Sequence, residues 1–190
     1  MLGRFQVGAI YVLTAIEYAV FRVLRLFRKL PFNPLSLPNQ KVIFAEYFKG
    51  FGKNGAVKGI FGEKTDEILD HLTVEISWIM GYMYVDGSDG HLVISKSYLN
   101  NGNRTDIYLD LIHELCHVKQ YMNGLELFDP RYDYVDRPTE IEAYRYAVKE
   151  ARRLGLSEEK ICCYLRTEWM SDADFARLCK SVDVQISSAS

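Results

Sequence analysis

Residues 105–124 read TDIYLDLIHELCHVKQYMNG, with His113 and His117 four apart and Glu114 directly after the first. On an α-helix, residues four apart lie one above the other on one face. Both imidazoles can therefore bring a nitrogen to about 2.0–2.1 Å from a single zinc ion. Glu114 is turned about 100° from His113 around the helix axis. It is poorly placed as a ligand and well placed to take a proton from a water in an open coordination position. Leu109, Ile112, Leu115, Cys116 and Val118 supply apolar cover and predict a buried helix, with Asn103 or Thr105 as its cap. The competing reading is a pair of surface histidines, which must explain why two of the chain's four histidines fall at this spacing.

Elsewhere the composition sets bounds. Hydrophobic residues make up 48% of the 190, enough for one folded domain with a short appendage. A net charge of −2 argues against a nucleic-acid partner. The four cysteines, Cys116, Cys162, Cys163 and Cys179, have no metal-binding spacing and read as free thiols in a reducing compartment.

Four regions are expected. Residues 1–30 form an N-terminal helix that is apolar and basic. FQVGAIYVLTAIEYAVFRVLRLFRK (5–29) is interrupted by Glu17, which weakens a membrane-spanning reading. Arg22, Arg25, Arg28 and Lys29 recur at helical spacing, so this helix either lies on anionic lipid or packs on its own domain. The expected location is cytoplasmic, with membrane association through residues 1–30 as the open alternative. Residues 31–40, with three prolines, make an extended connection. Residues 41–180 form the main domain, and 181–190 a tail.

Within the main domain, EKTDEILDHL (63–72) predicts a short helix, with His71 in a structural role. TVEISWIMGYMYV (73–85) and HLVIS (91–95) predict two strands joined as a hairpin through DGSDG (86–90). Pro138 opens a second long helix on which Ala143, Ala147 and Ala151 recur at spacing four, a smooth face for close packing. Ser157 and Ser171 start two further helices. The order of elements predicts an α+β fold, with a small antiparallel or mixed sheet packed on the motif helix.

A catalytic zinc needs a third protein ligand. Position 123 holds Asn and position 120 Gln, which excludes a third histidine six residues after His117. Glu140 and Glu142, at the start of the second long helix, are the candidates; they point about 200° apart, so only one can face the metal. Asp129, Asp133 and Asp136 in the intervening loop read as solvated. Tyr132, Tyr134 and His91 are candidates to donate to the oxyanion of a tetrahedral intermediate.

Together, His113-Glu114-x-x-His117 and Glu140-Ile-Glu-Ala143 resemble the gluzincin branch of the zincin metallopeptidases. That family pairs His-Glu-x-x-His with a later Glu-x-x-Ala. The resemblance covers about residues 85–150. It implies a zincin-like fold, Zn2+ as cofactor, His113, His117 and Glu140 as ligands, and Glu142 as the fallback. It further implies Glu114 as general base, a peptide or protein substrate, and HLVIS as an edge strand on which extended substrate lies. Tyr144 stands where many members carry an acidic residue that orients a histidine, so support is expected from Asp110 or a backbone carbonyl. The alternative, from a different class, is a membrane-surface interaction or regulatory protein with a non-catalytic zinc site.

Overall fold

A short mixed sheet and a buried central helix organise the computed structural model, which describes residues 40–79 and 81–186. The strands are β1 (Gln40–Ile43), β2 (Thr73–Ser77), β3 (Met83–Val85) and β4 (Leu92–Ser95), in spatial order β1-β2-β4-β3. Around them lie α1 (Phe44–Tyr47), α2 (Gly55–Phe61), α3 (Thr65–His71) and α4 (Lys96–Asn101). The helical part follows as α5 (Arg104–Met122), α6 (Pro138–Arg153), α7 (Glu158–Leu165) and α8 (Asp172–Ser181). The fold is α+β, as the order of elements predicts.

The sheet departs from the expected hairpin. Residues 73–85 are two strands, because Gly81, at φ +100°, turns the chain between them. β2 runs parallel to β4, with Val74 opposite Leu92, and only β3 forms an antiparallel hairpin with β4. β4 is therefore an interior strand, buried at Leu92, Val93, Ile94 and Ser95 alike, and HLVIS cannot offer an edge. Among the described strands, the outermost on that side is β3. Gly90 secures the hairpin against α5: at φ +77° it lies so close to the Tyr121 ring that a side chain would collide with it.

α5 begins at Asn103, whose Oδ1 accepts from the Thr105 and Asp106 amides at 2.8 and 3.3 Å. Its interior is buried on nearly every face, as expected of a helix covered on all sides. On one side Leu111, Ile112, Leu115 and Cys116 join Val57, Ile60, Leu69, Val74, Leu92 and Ile94 in the first core. On the other, Leu109 meets Ala147, Ala151, Ile161, Leu165 and Leu178 in the second. Ala143, Ala147 and Ala151 are wholly buried, so the small-residue face of α6 does bring its backbone close to its neighbours. Ser157 and Ser171 cap α7 and α8. All four cysteines are free.

The expected tail also differs. Val182 and Val184 are buried in the second core, and Arg152 Nη2 donates to the Asp183 carbonyl at 2.6 Å, so the chain packs as far as residue 184 at least. The spacing of two between Val182 and Val184 is the sequence signal for this, and it ends there, since Ile186 is exposed. The expected N-terminal helix over 1–30, and the 31–40 connection up to Gln40, lie outside the described residues. No helix among the described residues is long and apolar enough to cross a membrane.

Candidate metal centre

α5 projects His113 and His117 from one face, their Nε2 atoms 3.0 Å apart and their rings nearly perpendicular. Glu140, in the first turn of α6, brings Oε2 to 3.3 Å from His113 Nε2 and 3.4 Å from His117 Nε2. A tetrahedral zinc with bonds of about 2.0–2.1 Å holds adjacent donor atoms about 3.4 Å apart. The three observed edges fit that triangle. All three side chains are buried, and Glu140 Oε2 receives no hydrogen bond although water cannot reach it. A buried acceptor without a donor is costly unless a cation meets it. The donor set of two imidazoles and one carboxylate suits Zn2+. Among the described residues, these three form the grouping able to hold a metal.

Glu142 takes a different part. Its Oε1 accepts from Lys119 Nζ at 3.0 Å and its Oε2 from Gln120 Nε2 at 2.9 Å, so it faces away from the cluster. Gln120, fully buried, also donates to the Thr139 carbonyl at 3.0 Å, and its Oε1 lies 2.7 Å from His117 Nδ1. An amide oxygen here can only accept, which places the proton on Nδ1 and leaves the Nε2 lone pair for the cluster. In the sequence Gln120 counts only against a three-histidine site. Its spacing of three from His117 was the available signal.

Asp110 does not orient a histidine. Its oxygens accept from Tyr98 Oη at 2.6 Å and Tyr164 Oη at 3.0 Å, because it faces α4 and α7. His113 Nδ1 has no partner; the Tyr144 ring packs edge-on against that imidazole, 4.3 Å between centroids.

Charge is unevenly distributed among these groups. Burial depresses His113. Burial acts the same way on His117, but the facing Glu140 carboxylate overrides it and lifts the imidazole to about 9, so Nε2 carries a proton that a bound metal would displace. Burial opposes the Glu140 carboxylate, yet the two imidazoles hold it well below the usual range. Burial pushes the Glu114 carboxyl up to about 8, with His117 pulling it the other way only in part. Its Oε2 is buried and unbonded. A dication among the three donors would supply the positive charge that ionises Glu114.

A cleft of about 120 Å³ opens beside the cluster, walled by Met83, Tyr84 and Val85 of β3, by Leu127 and Phe128, and by Tyr134. Glu114 lies in it next to the edge strand. Tyr134 reaches the cleft and pairs its hydroxyl with that of Tyr144 at 3.1 Å. Tyr132 does not line it: that ring is 42% exposed, with Arg131 stacked over it. Nor does His91, which precedes the interior strand β4 and is held by Asp89, with Glu75 at 3.7 Å. Arg131 clamps Asp129, and Arg177 holds Asp133 and Asp136, so the loop aspartates ligate nothing. His71 Nδ1 lies 2.7 Å from the Glu67 carbonyl on the surface, one turn back on its own helix.

Comparison with family models, with curated proteins and with solved structures finds no match to this chain.

Proposed function

We propose that this chain is a zinc-dependent metallopeptidase of the gluzincin kind, with His113, His117 and Glu140 as ligands and Glu114 as general base. The observation that carries the reading is the triangle of His113 Nε2, His117 Nε2 and Glu140 Oε2, with edges of 3.0, 3.3 and 3.4 Å, opening on a cleft that also holds Glu114. Surface histidines would not converge with a buried carboxylate.

Bound zinc would supply Lewis acidity to a water and to the scissile carbonyl. Glu114 would take the proton of the attacking water and deliver it to the departing amine. Its two states suit it to both steps, since burial alone favours the acid and a nearby dication the base. Tyr134, at the cleft wall, is the hydroxyl able to donate to a developing oxyanion, and Tyr144 fixes its direction. Gln120 keeps His117 in the tautomer that binds metal.

The test has two parts. Elemental analysis of the purified chain is expected to give one zinc per molecule. Glu114→Gln should keep that zinc and lose about 10²–10⁴-fold in peptide hydrolysis. Stoichiometric zinc with no cleavage of a broad peptide library would instead leave a non-catalytic zinc site.

A further inference from the structure

Arg137 plays no part in the chemistry just described, yet its surroundings are unusual. It is 7% exposed, and its Nε is buried with no hydrogen-bond partner. Among the described residues it forms no ion pair; its one side-chain contact of note is with the Tyr134 ring, 5.8 Å from Cζ to the centroid. A charged group with its Nε buried and without an acceptor is costly, so it is expected to have an anionic partner.

The neighbouring chain offers none. Asp129 is close enough for Arg137 to help hold its carboxyl low, but both its oxygens are already taken by the Arg131 fork at 2.6–3.0 Å. Asp133 and Asp136 are held by Arg177. Glu140, three residues on, faces the two imidazoles. Arg137 also stands at the N-cap of α6, where no side chain caps the first turn, so the helix end adds its own preference for an anion. Its two nearest cleft residues, Tyr134 and Glu140, lie on either side of it in the chain. Arg137 does not itself line the cleft, but its Cζ is 5.8 Å from the ring centroid of Tyr134, which does, and its backbone is about one helical turn from Glu140.

We propose that Arg137 anchors a carboxylate-binding subsite beside this cleft, taking either the C-terminal carboxylate or an acidic side chain of a peptide within one or two residues of the scissile bond. The proposal rests on the reading of the cleft as a peptide site. A guanidinium fork matches a carboxylate in two parallel hydrogen bonds, which an amide cannot reproduce. The wall of Met83, Val85, Leu127 and Phe128 carries no cation, so bound zinc and Arg137 are the two that a carboxylate could meet, and substitution of Arg137 tells them apart.

The experiment uses the full zinc-loaded chain carrying Glu114→Gln, so that peptide binds without turnover. Three forms of one neutral heptapeptide series are titrated by calorimetry: C-terminal free acid, C-terminal amide, and amide with a single glutamate placed at each position in turn. At least one carboxylate-bearing form is expected to bind about tenfold or more tightly than the neutral amide. Whichever form wins identifies the source of the carboxylate. Arg137→Gln should bring that ratio to near one, and Arg137→Lys should restore part of it, since charge returns without the fork. Arg137→Gln should melt at or above the parent, since it removes a buried unpaired charge, and Arg137→Lys close to the parent. A large fall in Tm for Arg137→Gln with the ratio intact would make Arg137 a brace for Tyr134 and overturn the proposal. Equal binding of all three forms, or no binding by any, would overturn it as well. Cleavage by the unsubstituted chain is assayed in parallel. No cleavage with a preserved carboxylate preference would remove the peptidase reading and leave the subsite standing.

Discussion

α6 carries two buried carboxylates, Glu140 and Glu150, one near each end of its contact with α5, with opposite surroundings. At one end Glu150 is 2% exposed and its needs are met: Arg153 donates from Nε at 2.7 Å and Nη2 at 2.8 Å, and the Tyr108 hydroxyl, itself partnered by Asn54, donates as well. At the other end Glu140 is 4% exposed, and its Oε2 meets two imidazole nitrogens but no hydrogen bond. The same helix pair, the same burial and the same side-chain type give a satisfied network and an unsatisfied one. Polar groups that only hold a fold together are expected to find their partners within it. Acceptors left without donors, converging on one point and opening on a cleft, are arranged for something the chain does not itself provide.

The largest contrast is expected on changing the two glutamates to the same amide. Glu140→Gln should weaken zinc binding by more than the roughly 10–100-fold that goes with losing an orienting partner. It should also abolish the rise in Tm that zinc gives the parent, because that rise is binding free energy expressed as stability. Glu150→Gln should cost about 1–3 kcal/mol of stability through lost charge-assisted hydrogen bonds. Its zinc-induced rise should match the parent's. Thermal melts with and without zinc, together with competition against a chromophoric chelator, read both quantities. Equal loss of zinc affinity in the two variants would erase the distinction between the clusters.

A smaller effect tests whether the metal cluster has satisfied supports of its own. Gln120→Leu keeps the buried volume roughly but removes the acceptor at 2.7 Å from His117 Nδ1 and the donor to the Thr139 carbonyl at 3.0 Å. Zinc affinity should fall about 10–100-fold. In the zinc-free chain at a pH above 9, where the imidazole is neutral, the His117 ring nitrogens, followed by heteronuclear NMR, should lose their preference for the Nδ1–H tautomer. Unchanged tautomer populations with reduced affinity would assign Gln120 to packing alone.

How much of this was legible in the sequence depended on how local the cause was. His113, Glu114 and His117 are fixed by helix pitch within one stretch, whereas the residues alone left Glu140 and Glu142 both open, only the family resemblance favoured Glu140, and the fold brings Glu140 to the imidazoles while Gln120 and Lys119 hold Glu142. Asn103 as cap follows from local hydrogen bonding. The sheet was less legible because β2 pairs with β4 across an intervening strand, and nothing within 73–77 specifies a parallel partner. The continuous burial of Leu92 to Ser95 marks an interior strand only when its neighbours are known. Asp110 went to Tyr98 and Tyr164, on elements far apart in the chain, so its diversion from the histidines could not be read in advance. Arg137 is the extreme case. Its lack of a partner depends on Asp129 being taken by Arg131, a competition that only the folded loop decides.

The smallest effect concerns acid, and it belongs to the satisfied cluster. The Arg153 fork, and the Tyr108 hydroxyl after it, hold the Glu150 carboxyl below its ordinary 4.5 in the folded chain, although burial works the other way. Between that lowered value and 4.5 the unfolded chain binds more protons than the folded one, so stability falls as pH falls. The contribution is complete above 4.5 and is lost as pH drops through the folded value. The gap in Tm between parent and Glu150→Gln should therefore be full at neutral pH and narrow in acid. Since the Arg153 side chain is 60% exposed, the pH-dependent part is expected to be about 1 kcal/mol or less. A gap that stays constant down to pH 3 would mean that packing, and not the paired charge, is what Glu150 contributes.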